Sequence, residues 1–219
     1  MPASMSDTPI PYRFELIRKA IHLLAMALPL GMLVLERRPA LAILAGLTVV
    51  ALATEITRAR SEAVRRAIEW LVGWMMRAEE KPPIGQIRLS GATWVLISAL
   101  LLLVCFPARL AALAMMVFMA GDAAAALVGR RFGHHRWGLG PKTIEGTLGF
   151  MAAGSVVGLF LAEPVLWFGP AAAVLAGALE LLPGPLNDNL QAPFLTAFAL
   201  ALTESLWLGV PFSFLPGAG

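Results

Sequence analysis

Apolar residues gather in blocks of roughly 15 to 22 positions, parted by short polar or basic breaks, about what a helix rising 1.5 Å per residue needs to cross a 30 Å hydrocarbon core. The blocks fall near 14–35, 39–56, 92–106, 109–128, 144–162, 165–182 and 193–210. They are rich in Ala and Leu, carry dispersed Gly and show no sustained period-two alternation, so helices rather than barrel strands are predicted to span. One long polar stretch, 57–90, holds Ala67, Ile68, Leu71, Val72, Trp74 and Met75 against Arg65, Arg66, Glu69 and Arg77, the two sides of an interfacial helix. Pro82 and Pro83 are expected to end it. Residues 1–11 read as a disordered lead. The predicted fold is therefore all-α: a polytopic integral membrane helical bundle of about seven transmembrane helices plus an interfacial amphipathic helix, forming one membrane-embedded domain over 1–219.

Composition agrees, with 58% hydrophobic residues, 14% charged residues and a mean hydropathy of +0.76, outside the soluble globular range. The first block has basic residues ahead of an apolar core, as a signal peptide does, but removing it would still leave a polytopic chain. Cys105 is the single cysteine, which excludes an internal disulfide and a thiolate metal cluster. A formal charge of +3 raises the question of a nucleic-acid polymer as partner. The cations are scattered through short loops without interleaved aromatics, so they read as topology signals instead. Placing the N-terminus inside puts Arg13, Arg18, Lys19, the cations from Arg58 to Arg88, and Arg130, Arg131, Arg136 and Lys142 on the cytoplasmic side. Only Arg37, Arg38 and Arg109 are left outside. The expected location is the inner (cytoplasmic) membrane.

The chemistry concentrates in 121–147, GDAAAALVGRRFGHHRWGLGPKTIEGT. Asp122 stands in the cytoplasmic half of an apolar helix, where a carboxylate is costly without a cation, a metal or a hydrated cavity. A basic Gly-rich loop, 129–143, follows. Gly129, Gly133, Gly138 and Gly140 expose backbone, and Arg130, Arg131, Arg136 and Lys142 add charge, so the loop is predicted to hold an anion, phosphate being the natural candidate. Thr143, Glu145, Gly146 and Thr147 open the next helix, whose first amides would favour the same ligand. Gly140-Pro141-Lys142-Thr143 has the look of a P-loop tail but lacks the leading glycine spacing and the strand, so it is not that motif.

Further along, Glu180 and Asp188 supply carboxylates on the same predicted membrane side as Asp122, and with it form a candidate Mg²⁺ constellation. Asn187 and Asn189 occupy the intervening break, where Asx residues are also common turn formers. Glu15, Arg18, Lys19 and His22 share one helical face, and Glu55 and Arg58 pair at the end of the second block. His134 and His135 lack the spacing of a zinc site.

Taken together, these residues resemble the CTP-dependent polyprenol kinase family, which includes dolichol kinase, phytol kinase and CTP-dependent diacylglycerol kinase. The resemblance extends over most of the chain. It is strongest at Gly121-Asp122 through Gly129, at Lys142-Thr143-Ile144-Glu145-Gly146-Thr147, and at Glu180 followed by Asp188-Asn189 and Pro193. Glu15, Arg18-Lys19, His22, Glu55 and Arg58 echo it more weakly. Two positions depart: Pro141 replaces the first of a frequent Lys-Lys pair, and Asn187 stands where many relatives carry Asp. The resemblance implies a membrane enzyme that transfers the γ-phosphate of CTP to a lipid alcohol with a divalent cation.

On that expectation Asp122, Lys142, Glu145 and Asp188 are catalytic, with Asp122 or Glu145 accepting the alcohol proton. Asp122, Glu180 and Asp188 would hold Mg²⁺. Gly121, Gly129, Arg130, Arg131, Gly138, Gly140, Lys142, Thr143, Gly146, Thr147 and Asn189 would bind the nucleotide. The same groups would also serve a cytidylyltransferase making a CDP-lipid. In a transporter, Asp122 and Glu145 would instead be ion or proton sites, though no internal repeat supports that.

Overall fold

The structure, a computed structural model, describes residues 12–74, 76, 81, 83–136, 142–161, 168–179, 181, 186–212 and 214–215. Nine helices run in chain order among them: α1 Tyr12–Leu24, α2 Ala27–Val34, α3 Arg37–Arg60, α4 Glu62–Val72, α5 Gly91–Cys105, α6 Ala108–Phe132, α7 Ile144–Leu161, α8 Phe168–Leu179 and α9 Asp188–Leu208. No strand forms among these residues; the one isolated bridge joins Arg136 to Thr143.

Three stretches, Tyr12–Val34, Arg37–Arg60 and Ala108–Phe132, are long and apolar enough to cross a membrane. Helix α5, with 15 residues, rises about 22 Å, short of a 30 Å core. Helix α8, with 12, rises about 18 Å. The expected stretch 14–35 is broken at Ala25 and Met26, because Pro29 lacks an N–H and its ring crowds the carbonyl four residues back, that of Ala25.

Helix α1 shows which solvent suits this chain. Glu15 and Lys19 are buried, whereas Leu16, Ile17, Ile21 and Leu24 on the other face are exposed. In water such a helix would be inside out; in lipid it is the expected arrangement, with polar groups facing the protein interior. Helix α4 is amphipathic as predicted, with Trp70 and Leu71 exposed, as is Trp74 just beyond it, and Arg65 clamped between Glu62 at 2.6 Å and Glu69 at 3.1 Å. It ends at Val72, nearly three turns ahead of the proline pair expected to end it, with Gly73 as its C-cap. Met75, Arg77 and Pro82 lie outside the described residues.

The core is built round α6, whose run from Leu110 to Met119 is buried throughout. Helices α7, α9, α2 and α1 pack against it. Small residues allow the close approach. A Cβ on Gly121 would sit 2.6 Å from the Phe150 ring, one on Gly146 would sit 3.0 Å from Ala125 O and one on Gly158 would sit 2.5 Å from the backbone of Gly169, so at Gly146 and Gly158 α7 meets α6 and α8 nearly backbone to backbone. Substituting Gly121→Val is expected to destabilise the fold by about 1–3 kcal/mol, read as a lowered melting temperature in detergent.

Polar fastenings lie at both ends of the bundle. At one end the buried pair Glu55 and Arg58, 2.7 Å apart, binds the segment entering α5: Glu55 accepts from Ser90 N (2.9 Å) and Thr93 Oγ1 (3.0 Å), and Arg58 donates to Arg88 O (2.8 Å). At the other, Arg37 donates to the carbonyls of Val104 and Phe106, which close α5, and Arg109 pairs with Glu204.

Candidate functional site

Asp122 lies in the C-terminal half of α6 and meets the polar face of α1. Lys19 Nζ is hydrogen-bonded to its Oδ2, and His22 Nε2 stands 3.6 Å from the same oxygen, its ring edge-on to Phe118. Lys19 is buried, yet the Asp122 side chain keeps 27% of its surface exposed, so the carboxylate is not sealed in the core but reaches the surface in the groove where α1 lies against α6. One helical turn before Lys19, Glu15 accepts from Arg18 Nη2 at 3.1 Å and has Arg130 Nη2 at 3.9 Å, which joins the end of α6 to the start of α1. The spacings of three and four among Glu15, Arg18, Lys19 and His22 thus mark a face turned onto Asp122.

The segment after α6 differs from the expected loop. Helix α6 continues to Phe132, since nothing between Val128 and Phe132 breaks it before Gly133, whose N–H closes on Gly129 O at 3.0 Å. Gly129, Arg130 and Arg131 are therefore helical. Arg131 is exposed, its guanidinium over the Phe132 ring, while Arg130 turns toward Glu15. Gly121, Gly129 and Gly146 are closely packed. A Cβ on Gly129 would lie 2.9 Å from Thr143 Oγ1, one on Gly146 would lie 3.0 Å from Ala125 O, and Gly121 is closed by Phe150. Gly138 and Gly140 lie outside the described residues.

The start of α7 is likewise engaged by the chain itself. Ile144 N donates to His135 O (2.9 Å), Gly146 N to Thr143 Oγ1 (3.1 Å) and Thr147 N to Thr143 O (3.0 Å). The Thr147 hydroxyl also reaches Thr143 O at 3.2 Å. Glu145 holds the returning loop: its Oε1 is 2.7 Å from His135 Nδ1 and accepts from His135 N at 3.2 Å. These bonds occupy the amides expected to meet phosphate, and they make Glu145 a loop anchor. Lys142, partly buried, sits just ahead of them.

Asp122 and Gly129 are seven residues apart on one face of α6, about 10 Å along its axis. Since Gly129 packs on Thr143, the start of α7 lies about two helical turns from Asp122 along the same groove. Comparison with protein-family models, curated proteins and solved structures finds no match to this chain.

The expected metal trio is not assembled among the described residues. Asp122 is paired with Lys19, Asp188 is exposed at the first turn of α9, and Glu180 lies outside the described residues. No group of three or more His, Cys, Asp or Glu among the described residues is arranged to hold a metal ion. Among the described residues, the donors do not make a protein-built magnesium site. Asn187 acts on the fold instead. As the N-cap of α9 it accepts from Asn189 N at 3.0 Å, while Asn189 Nδ2 reaches Gly91 O at 3.5 Å, tying the starts of α9 and α5 together. Asn187→Ala is expected to cost about 1 kcal/mol in a thermal melt.

Sequence reasoning paired neither Lys19 with Asp122 nor Arg109 with Glu204. Each pair bridges roughly a hundred residues, beyond any spacing rule; the only signal was that each partner was an ion in an apolar block.

Proposed function

We propose that this chain is a membrane-embedded kinase that transfers the γ-phosphate of CTP to the hydroxyl of a lipid alcohol, of the polyprenol, phytol or diacylglycerol kind. One observation carries the reading: an intramembrane carboxylate, Asp122, faces a groove walled by the cationic face of α1 and lying along α6 from the Lys142-Thr143-Ile144-Glu145-Gly146-Thr147 run. The motif resemblance to CTP-dependent polyprenol kinases rests on the same residues. An N-terminus on the inside would put this groove at the cytoplasmic interface, where a soluble nucleotide and a membrane alcohol can meet.

Phosphoryl transfer asks of the protein in-line positioning and neutralisation of charge on the transferring group. Lys142 and the arginines at the end of α6 are suited to the second. In the proposed step the alcohol oxygen attacks the γ-phosphorus, the bond to the β-phosphate oxygen breaks and CDP leaves. Asp122 takes the alcohol proton; Glu145, engaged by His135, keeps the loop in place. A divalent cation would arrive with the nucleotide, since magnesium is held largely by phosphate oxygens. The alcohol's apolar tail would rest among the lipid-facing helices.

Labelled CTP tests this. With purified protein and a panel of lipid alcohols, γ-label is expected on the lipid with release of CDP. Transfer of α-label with pyrophosphate would instead mark a cytidylyltransferase, and transfer of neither would remove both readings.

A further inference from the structure

The kinase reading leaves open where the phosphate chain lies, and the first amides of α7, expected to help hold it, are engaged by the chain itself. Buried polar atoms without a hydrogen-bond partner lie on the facing helix α1. Glu15 is buried, with its side chain only 3% exposed, yet Oε2 has no hydrogen-bond partner, and neither has Arg18 Nε. Arg18 uses Nη2 on Glu15, and Nη1 has no partner among the described residues. Arg130 approaches the same carboxylate from α6 at 3.9 Å, and Lys19 is held one turn further on by Asp122. The buried carboxylate is hydrogen-bonded to Arg18 and within ion-pair distance of Arg130, so it gathers the two guanidiniums while leaving N–H groups of Arg18 unmatched, and planar forks of this kind are suited to bidentate phosphate recognition.

Resting on the proposed function, we infer that Glu15, Arg18, Lys19 and Arg130 form the site for the phosphate chain. Arg18 and Arg130 contact its oxygens, and Glu15 is the positioning residue that aims them. Lys19, one turn along α1, draws the terminal phosphate toward Asp122. The ligand chemistry is a chain of phosphate oxyanions, which either a nucleotide or a phosphorylated lipid product could supply.

The test uses the full chain in neutral phosphatidylcholine nanodiscs, with inorganic tripolyphosphate as probe, CTP and a short-chain lipid phosphate as competitors, and Arg18→Ala, Arg18→Lys and Glu15→Gln as variants. Arg18→Ala is expected to weaken tripolyphosphate binding at least 10-fold when binding is read well below the variant's own lowered melting temperature, with Arg18→Lys recovering only part of it. Glu15→Gln is expected to raise KM for CTP more than it lowers kcat. Competition by CTP assigns the site to the nucleotide, and competition by the lipid phosphate alone assigns it to the product. Wild-type affinity in Arg18→Ala, or no tripolyphosphate binding by the parent protein, overturns the inference. The two proposals fail separately: γ-label transfer with unchanged KM in Arg18→Ala sinks this site and spares the kinase, whereas Arg18-dependent binding without label transfer to any alcohol does the reverse.

Discussion

Replacing Asp122 by asparagine is expected to lower γ-phosphate transfer by at least about 100-fold, the usual consequence of removing a positioned proton acceptor. Asparagine keeps the size of the side chain and an oxygen that can accept from Lys19, so the bundle should stay folded. The loss is expected in kcat with little change in KM for CTP, because the group acts on the reacting hydroxyl rather than on the nucleotide. Label transfer by Asp122→Asn within a few-fold of the parent would move the proton acceptor elsewhere. Glu145→Gln supplies the contrast. Its carboxylate faces His135 and the loop, so the change should loosen residues 133–136 and reduce transfer less than the change at Asp122 does.

The second large effect concerns stability. Lys19 is buried against Asp122, and replacing it with methionine keeps the apolar stem but leaves a carboxylate facing only His22 and the groove. Breaking such a pair from one side costs about 3–5 kcal/mol, since the remaining charge is uncompensated. Lys19→Met is therefore expected to melt well below the parent, and adding Asp122→Asn to it should restore much of the difference. Deleting both charges removes the unpaired group along with the bond.

These two expectations depend on features of unequal legibility in the sequence. Block length and hydropathy announced the helices, and α3, α5, α6 and α7 begin within a few residues of where the pattern placed them. Asp122 could be singled out because a carboxylate in an apolar helix must be explained, and the α1 face because its four polar residues recur at helical spacing. Which face meets which acid was not legible, since periodicity orders residues within one helix and is silent on its neighbours. Gly129-Arg130-Arg131 misled in a different way. Glycine and charge read as loop, whereas an α6 with no proline there simply continues, and its glycines answer to the close approach of α7. The amides of α7 read as open for the same reason: their partners, Thr143 and His135, become visible only once the chain has turned back.

The groove, the proton acceptor and the phosphate site all depend on the pairing across α1 and α6. It is tested most directly by a double-mutant cycle on thermal unfolding with the parent, Lys19→Met, Asp122→Asn and the double variant, which requires no substrate and no assumption about the reaction. Strong non-additivity is expected, with the double variant markedly more stable than the sum of the two single losses. Strictly additive losses would mean that Lys19 and Asp122 do not meet, and the groove between α1 and α6 would not exist.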